Sequence, residues 1–350
     1  MKALIAMSGG VDSSVAALLM KDYDRIGCTM RLFDGEDYDS GLESTCCSLD
    51  DVEDARAVCR RMGIPHYTFN FKDDFEEKII KKFIASYQRG RTPNPCIDCN
   101  RYLKFDRLYD RAKELGCDVI VTGHYARIEE MDGKFFLKKA ADPAKDQSYV
   151  LYSLTQEQLS HTRFPLGELS KDEVRRIAEE NGFVNANKPD SQDICFVPDG
   201  DYAGFIERSG VKVTTGDFLT TDGKVLGRHK GIIHYTIGQR KHLGISVGAP
   251  IYVVGIHPDD NTVVLGDESY LFRTTAKVTD FNWIAGEIPT EPIRCKAKTR
   301  YRQKEQPATA TVSDDGTVTL EFDEPIRAIT PGQAAVLYDG DVVLGGGTII

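Results

Sequence analysis

Apolar runs alternate with amphipathic stretches through the first 200 residues of this chain. Short apolar runs at residues 2–7, 27–32, 67–71 and 119–122 predict strands. Residues 50–62, 74–88 and 171–181 carry apolar positions at helical spacing, and Ser170 with Glu173 forms a capping box at the start of the last stretch. This alternation predicts an α/β fold with a Rossmann-like parallel sheet covered on both faces.

The pattern changes near residue 200 to short β-rich segments separated by turn signals. Asp222-Gly223 and residues 258–261 lie between apolar runs, and hairpin signals follow at Asp315-Gly316 and Asp339-Gly340. We therefore predict a nucleotide-binding α/β domain at residues 1–200, a small central β-rich domain at 201–269 and a C-terminal β-barrel at 270–350.

The composition indicates a globular protein that would bind polyanions only through local basic patches. The 350 residues are 41% hydrophobic and carry a formal net charge of −10, which argues against a general nucleic-acid coat. The start Met1-Lys2-Ala3 does not read as a signal peptide, and no apolar stretch approaches the roughly 18 residues of a membrane span. We expect a cytoplasmic protein with no membrane partner.

The first predicted strand runs directly into a glycine-rich loop. Residues 8–14 read Ser-Gly-Gly-Val-Asp-Ser-Ser, and the glycines let successive N–H groups face one anion before a helix predicted at 13–21. No lysine follows the glycines, so this is not a Walker A loop, whose lysine reaches the terminal phosphates. The loop resembles the PP-loop of ATP pyrophosphatases, which implies cleavage between the α and β phosphates and transfer of AMP to an oxygen.

Nine cysteines in a cytoplasmic protein are not expected to form a structural disulfide framework. Cys96 and Cys99 form a Cys-x-x-Cys pair in a loop stiffened by two prolines, and Cys195 lies in a second polar loop. Half of a zinc site is the alternative for the pair, but no second Cys-x-x-Cys follows. Cys46 and Cys47 are adjacent, which suits no common metal spacing. The remaining cysteines, at positions 28, 59, 117 and 295, are expected in the core.

An ordered series of motifs carries a resemblance over essentially the whole chain. After the PP-loop come Gly-Arg-Thr-Pro-Asn-Pro at 90–95, Cys99-Asn100 with Lys104-Phe105, Thr-Gly-His-Tyr at 122–125, Lys-Asp-Gln-Ser-Tyr at 145–149, Ser-Gln-Asp-Ile-Cys-Phe at 191–196 and His-Tyr-Thr-Ile-Gly-Gln-Arg at 234–240. Together they resemble the tRNA-specific 2-thiouridylases of the MnmA type. The resemblance implies ATP-driven replacement of the C2 oxygen of the wobble uridine by sulfur in tRNAs for lysine, glutamate and glutamine.

The same resemblance assigns roles to individual residues. It implies that ATP is bound by Ala6, Met7, Ser8, Gly9, Gly10, Val11, Asp12, Ser13, Met30 and Gly123, with Asp12 organising Mg²⁺ or phosphate. Cys195 matches the persulfide-bearing cysteine and Cys99 the nucleophilic or resolving thiol. Asn94, Pro95 and Cys96 match the pocket for the target base. The tRNA contacts implied are His124, Lys145, Asp146, Gln147, Arg300, Tyr301 and Gln333.

Cys96 stands where several relatives of this kind carry aspartate. Three cysteines, Cys96, Cys99 and Cys195, would suit a 4Fe-4S cluster that delivers an external sulfide, so cluster and persulfide remain alternatives. The sulfur donor implied is a cysteine desulfurase, a sulfur-carrier protein or free sulfide. The other partner implied is the anticodon stem-loop of tRNA.

Two basic tracks offer an acidic protein a way to hold RNA. From Arg294 to Lys304 every second residue is a cation, which on one strand would place six cations on one face. A solvated edge strand is the alternative. The second track, residues 228–242, brackets His234-Tyr235, and rings beside cations suit unstacked RNA bases.

Two other classes of protein compete with this interpretation. A PP-loop ligase that adenylates a small molecule, such as an argininosuccinate or NAD synthetase, would leave Cys99, Cys195 and the basic track without a use. The other is an RNA-binding protein that takes ATP only as a ligand.

Overall fold

A computed structural model describes residues 1–33, 49–189, 194–284 and 286–350. Cys46, Cys47 and the Ser191-Gln192-Asp193 motif lie outside these ranges. The described strands are β1 (Lys2–Ala6), β2 (Asp24–Arg31), β3 (His66–Asn70), β4 (Val119–Val121), β5 (Ala126–Met131), β6 (Lys134–Lys139), β7 (Thr162–Arg163), β8 (Gly216–Thr220), β9 (Val225–His229), β10 (Tyr252–His257), β11 (Thr262–Gly266), β12 (Phe272–Trp283), β13 (Ile293–Lys298), β14 (Gln306–Val312), β15 (Val318–Arg327), β16 (Ala334–Asp339) and β17 (Val342–Ile349).

The helices cluster in the first two thirds of the chain. They are α1 (Val11–Leu19), α2 (Leu49–Met62), α3 (Lys72–Phe75), α4 (Lys81–Gln88), α5 (Pro95–Asp98), α6 (Leu108–Glu114), α7 (Gln156–Ser160), α8 (Lys171–Glu180) and α9 (Tyr202–Arg208). None of the helices in the described ranges combines the length and the apolarity that a membrane span requires.

A five-stranded parallel sheet confirms the predicted α/β fold. Its order is β3-β2-β1-β4-β7, and each neighbouring pair is parallel. Successive residues of β1 face opposite sides, so Ala3 and Ile5 pack with α1, α2 and α8, while Leu4 packs with α3, α4 and α6. Both faces of the sheet are therefore covered, as the alternating pattern predicts.

The predicted helices form, with one interruption. Ser170 caps α8 through the predicted capping box, in which its hydroxyl accepts from the N–H of Glu173 and the Glu173 carboxylate accepts from the N–H of Ser170. The helix predicted at 74–88 begins at Lys72 and contains a π-helical turn at Glu76–Ile80. A second π-helical segment, Cys99–Arg107, lies between α5 and α6. Such segments are frequent at functional sites.

One element of the first 200 residues leaves the parallel sheet. Strands β5 and β6 form an antiparallel hairpin, and Lys138 of β6 pairs with Val342 of β17. The alternation of strands and helices does not predict this hairpin. It extends the C-terminal sheet and so joins the first domain to the last.

The central region is a four-stranded sheet in the order β10-β11-β8-β9. Antiparallel pairs β8–β9 and β10–β11 confirm the turn signals at Asp222-Gly223 and at residues 258–261. Its small core contains Phe218, Tyr235 and Val253.

The C-terminal strands form a closed barrel, as predicted. Six strands follow the order β12-β15-β14-β13-β16-β17, and pairing of β12 with β17 closes the sheet on itself. The hairpin signals at Asp315-Gly316 and Asp339-Gly340 are confirmed by the antiparallel pairs β14–β15 and β16–β17. At the closure a Cβ on Gly345 would lie 2.2 Å from the carbonyl oxygen of Asn282, so only glycine fits there.

The prediction of six cations on one strand is wrong beyond Lys298. Strand β13 ends at that residue, and along it Arg294 and Lys296 are exposed while Cys295 and Ala297 are buried. Arg300, Arg302 and Lys304 follow in a turn region. The alternation is therefore real for three cations, and Arg300, in the turn region that follows, is half-buried.

Candidate active site

Strand β1 and helix α1 are joined by the loop at residues 8–14, here called the phosphate cradle. Gly9 has φ +76°, and a Cβ on it would lie 2.4 Å from the backbone oxygen of Asp51. Gly10 has an ordinary φ of −85° and occupies the N-cap of α1 without a side-chain cap. The cradle therefore leaves the backbone N–H groups at the start of α1 without a side chain over them, an arrangement that binds anions.

Buried hydroxyl groups brace the cradle from behind. Ser13 and Ser14 both donate to the carbonyl oxygen of Gly10, each at 3.0 Å, and the N–H of Ser8 donates to the Ser13 hydroxyl at 3.2 Å. The buried amide of Asn185 donates to the carbonyl of Gly9 at 2.8 Å and to the Ser14 hydroxyl at 2.9 Å. Sequence reasoning missed Asn185, because no motif or periodicity marks it.

The nucleotide residues implied by the resemblance converge at one edge of the sheet. Strand β1 has β2 and β4 as its two neighbours, so the order of the sheet reverses beside it. Ligands of open α/β sheets bind at such a switch point, outside the carboxyl ends of the strands. Gly123 follows β4, and a Cβ on it would lie 2.8 Å from the backbone nitrogen of Ser13. Met30, near the end of β2, is half-buried against the core on one sheet face.

Asp12 is held by two side chains from other parts of the fold. Its Oδ1 accepts from the Lys171 ammonium and from the Tyr125 hydroxyl, both at 2.7 Å. Lys171 is the first residue of α8 and is buried. The resemblance does not assign a role to Lys171 or Tyr125.

A second ion-pair group lies on the other side of the cradle. The Lys188 ammonium contacts Asp51 at 2.7 Å and Asp54 at 2.6 Å. Because the backbone of Asp51 abuts Gly9, this pair fixes the start of α2 against the cradle.

His124 is buried beside the cradle. Its Nδ1 lies 2.7 Å from the hydroxyl of Thr122, and its ring packs against Phe105 and Phe164. Burial, reinforced by the charge of Lys104, holds the pKa of His124 well below its ordinary value. The imidazole is therefore neutral near pH 7, and its contact with tRNA stays a prediction.

The loop at residues 91–99, here called the thiol loop, is held by both other domains. Thr92 donates its N–H to Pro331 at 2.9 Å and accepts from the Gln333 amide at 2.7 Å. Its hydroxyl lies 3.1 Å from that of Thr236 in the central region. Gly332 has φ +91°, and a Cβ on it would lie 2.9 Å from the nitrogen of Thr92. Gln333, an expected tRNA contact, therefore supports the thiol loop in this structure.

The thiol loop presents its cysteines at the start of a short helix. Asn94 caps α5 by accepting from the N–H of Cys96 at 3.2 Å, and Pro95 is buried in the first turn. Cys96 is exposed, whereas Cys99, the first residue of the π-helical segment, is half-buried. Asn94, Pro95 and Cys96, which the resemblance assigns to the target-base pocket, therefore lie within five positions of Cys99.

One of the two residues between the cysteines is an almost buried carboxylate. Asp98 lies 2.6 Å from the ammonium of Lys82. Burial raises the pKa of Asp98, while the charge of Lys82 opposes the rise. Next to Cys99, the buried amide of Asn100 donates to the carbonyl of Val150 at 2.9 Å. Both contacts fix the orientation of the segment that carries the thiols.

The two proposed thiols share one hydrophobic surface. Cys99, Cys195 and Met30 each pack, partly exposed, against the core cluster that contains Phe75 and Phe196. The fold thus packs two distant loops against the same core cluster as Met30, the residue that the resemblance assigns to the adenosine end of ATP. The motif residues just before Cys195 are outside the described ranges.

The three cysteines do not form a metal site as they stand. In the described part of the chain, no group of three or more His, Cys, Asp or Glu side chains could hold a metal ion. A 4Fe-4S cluster on Cys96, Cys99 and Cys195 therefore stays a prediction. The four cysteines expected in the core, Cys28, Cys59, Cys117 and Cys295, are buried there. Burial raises the pKa of Cys59 to about 12 and that of Cys295 to about 11.

The segment at residues 145–147 is fixed by its own polar side chains. Asp146 accepts from the N–H groups of Ala140 and Ser148, and Gln147 accepts from the N–H of Tyr125 at 2.9 Å. The Tyr301 hydroxyl donates to the carbonyl of Asp146 at 3.3 Å. The side chains of Asp146 and Gln147 therefore shape a turn, and Lys145 lies beside them half-buried. Tyr301 is 38% exposed, so its ring remains available to a ligand.

Arg300 joins the central region to the barrel. Its guanidinium donates to the carbonyl of Ile237 at 3.1 Å and to that of Ala328 at 3.0 Å, and it contacts the Thr330 hydroxyl. Burial lowers the pKa of Arg300. Arg300 is therefore not presented to solvent as a member of a basic stripe.

The central basic track is only partly a surface. Tyr235 and His229 are buried against Phe218, so their rings are not open to a base. Arg240 and Lys241 are exposed. The expectation of a ring platform at Tyr235 is therefore wrong, because that ring is part of the small core.

Comparison with known proteins covers each region of the chain. Residues 1–199 match the family model described as tRNA methyl transferase HUP domain, residues 204–267 a PRC-barrel domain of the same name and residues 273–349 an aminomethyltransferase beta-barrel domain. A solved NMN synthetase from Francisella tularensis covers 61% of this chain and 79% of its own, at 19% identity and a TM-score of 0.34, too weak a likeness to carry an argument.

Curated relatives match over the full length. The tRNA-specific 2-thiouridylase MnmA of Clostridioides difficile is 52% identical, over 99% of this chain and 98% of the relative. The protein of the same name from Lachnoclostridium phytofermentans is 51% identical, over 100% of this chain and 99% of the relative. Because half of all positions are shared across the whole length, the chain belongs to the tRNA-specific 2-thiouridylase MnmA family.

Proposed function

We propose that this protein converts a tRNA uridine to 2-thiouridine and uses ATP to activate the C2 oxygen. The observation that carries the proposal is the pairing of a phosphate cradle with two thiols that pack against the same core cluster as Met30. The relatives are named for this activity. The expected acceptors are the wobble uridines of tRNAs for lysine, glutamate and glutamine, and we place the reaction in the cytoplasm with its substrates.

ATP would lie across the switch point of the sheet. The cradle N–H groups would bind its phosphates, and Gly123 would leave room for the nucleotide beside α1. Mg²⁺ would accompany the phosphates, and the carboxylate of Asp12 offers an oxygen ligand of the type Mg²⁺ prefers. Attack of the C2 oxygen on the α phosphate would release pyrophosphate and leave AMP as the leaving group. The base must first leave the anticodon stack to reach this point.

Sulfur would then arrive as a persulfide on Cys195. Its terminal sulfur attacks C2 and displaces AMP, which leaves the base joined to Cys195 through a disulfide. The Cys99 thiolate attacks the Cys195 sulfur, releases the 2-thiouridine and forms a Cys99–Cys195 disulfide, which an external dithiol reduces. We propose the persulfide route because it needs only the two thiols Cys99 and Cys195, and a cluster on three cysteines is the alternative that iron analysis tests. The donor that loads Cys195 is a desulfurase or a sulfur carrier that already holds a persulfide, because free sulfide would need a two-electron oxidant to form one; free sulfide serves only the cluster route.

The first test measures the chemistry that ATP undergoes. We expect release of AMP and pyrophosphate that depends on tRNA. Turnover without tRNA would indicate a small-molecule ligase, and tRNA binding without turnover would indicate a binding protein. Iron and sulfide analysis of protein purified without oxygen checks the persulfide route, which a stoichiometric cluster would contradict.

The second test separates the cysteines. Cys99→Ala and Cys195→Ala should each abolish 2-thiouridine, read as the loss of retarded tRNA on a mercury-containing gel, while ATP binding persists. Cys295→Ala is the control, because its thiol is buried in the core of the barrel and belongs to no proposed site. Thiolated tRNA from Cys99→Ala or Cys195→Ala would refute the assigned roles.

A further inference from the structure

The phosphate cradle has no cation of its own. No lysine or arginine occurs between Ala3 and Leu19, so the backbone and hydroxyl groups there offer only partial charges to a triphosphate. The β and γ phosphates carry most of the negative charge of ATP. A cation from elsewhere in the fold would complete such a site.

Lys171 brings a cation to the first turn of α1. Its ammonium lies 2.7 Å from Oδ1 of Asp12, the second residue of that helix. The Lys171 side chain is only 9% exposed, whereas that of Asp12 is 31% exposed. The ammonium also lies 5.9 Å from the centre of the Tyr125 ring, whose hydroxyl contacts the same carboxylate oxygen. Two side chains therefore hold the ammonium at the edge of the cradle.

The position of Lys171 in its helix is unfavourable for a positive charge. It is the first residue of α8, where the helix dipole favours anions, and Asp172 and Glu173 in the same turn follow that preference. A nearly buried lysine also loses hydration. A side chain placed against both preferences is typical of a functional site.

We propose that Lys171 is the phosphate-binding cation of this PP-loop. Without nucleotide, the Lys171 ammonium pairs with Asp12. When ATP binds, the ammonium moves to the β and γ phosphates, and the Asp12 carboxylate can then face the metal ion that accompanies the nucleotide. The ammonium exchanges one anionic partner for another, so its charge is never buried alone. This inference rests on the ATP use proposed above and adds a residue outside the loop to it.

Calorimetric titration with Mg²⁺ and either ATP or AMP tests the inference. Lys171→Met should weaken ATP binding at least tenfold and leave AMP binding within about twofold, because AMP lacks the phosphates that Lys171 would contact. Lys171→Arg, which keeps the charge, should recover part of the ATP affinity. Lys138→Met is the control, since Lys138 is also a poorly exposed lysine in ion pairs, with Glu129 and Asp341 in the hairpin and barrel.

The outcomes separate the inference from the proposed function. If the wild-type protein binds no ATP, the proposed function fails. If it binds ATP, and Lys171→Met either leaves the ATP affinity intact or weakens ATP and AMP alike, Lys171 is a structural residue and the inference is overturned. The melting temperature without nucleotide, measured for both methionine variants, identifies any loss of affinity that comes from unfolding.

Discussion

The phosphate cradle and the thiol loop are built in different ways. The cradle is braced only by residues of the first domain, both near in sequence, such as Ser13 on Gly10, and distant, such as Asn185 on Gly9. The thiol loop depends on residues far along the chain: Thr92 is bonded to Gln333, 241 positions away, and to Thr236, 144 positions away. The nucleotide half of the site therefore belongs to one domain, whereas the thiol half forms only when all three regions have docked.

This difference suggests how the two activities are coupled. A protein with a poorly docked barrel would still have an intact cradle. Its thiols would be displaced, because Pro331, Gly332 and Gln333 all contact the segment that leads to Cys96. We expect substitutions in the barrel turn to separate ATP binding from thiolation.

The largest expected effect comes from Gly9→Ala. The new Cβ would lie within 3 Å of three backbone atoms of Asp51, at a φ of +76° that side chains rarely adopt. Backbone atoms cannot move aside cheaply, so we expect a loss of about 3 kcal/mol or more in unfolding free energy. Chemical denaturation measures it. Gly10→Ala is the control, because its nearest atom is the Ser8 hydroxyl at 3.5 Å, and it should change stability by less than about 1 kcal/mol. Equal losses in both variants would contradict the geometry of the cradle.

Gly332→Ala should separate the two halves of the site. The Cβ would press on Thr92 and Arg91 and displace the thiol loop. We expect 2-thiouridine formation to fall about tenfold while the dissociation constant for ATP stays within about twofold, since a displacement of about 1 Å costs up to about a hundredfold in rate. Gly316→Ala carries the same left-handed strain, φ +80°, with no atom within 4 Å, and should keep wild-type thiolation. If ATP binding and thiolation fall together in Gly332→Ala, the two halves are not independent.

The smallest effect distinguishes structural from electrostatic roles among the cations. Arg300→Met should lower the unfolding free energy by about 1–3 kcal/mol, because methionine cannot donate to the carbonyls of Ile237 and Ala328. It should leave the salt dependence of tRNA binding unchanged. Replacing Lys296 and Lys298 by alanine should instead flatten that dependence by about one unit of slope for each phosphate that is no longer neutralised. Chemical denaturation measures the unfolding free energy and filter binding over a salt series measures both slopes; a flattened slope for Arg300→Met, which removes the charge, would restore that residue to the basic stripe.

Predictions that depend on residues close together in the sequence are confirmed, whereas features that depend on distant residues were missed or overextended. The strands around the cradle, the capping box of α8 and the four hairpins are confirmed, because each depends on residues within a few positions of one another. The hairpin β5–β6 was missed, since its place is set by pairing with β17 some 200 positions away. The basic stripe was overextended for the same reason: the alternation is local, but the burial of Arg300 is decided by Ile237 and Ala328.

The sequence by itself determined the α/β, central and barrel regions, the position of the phosphate cradle and the choice of three cysteines as the chemical candidates. Those features follow from hydrophobic period, glycine conformation and ordered motifs, which are properties of short segments. Only the tertiary structure decided that Lys171 meets Asp12, that Gln333 supports Thr92 and that the rings of His124 and Tyr235 are buried. These are contacts between side chains that are distant in sequence, and no local pattern specifies which distant partner a polar side chain will find.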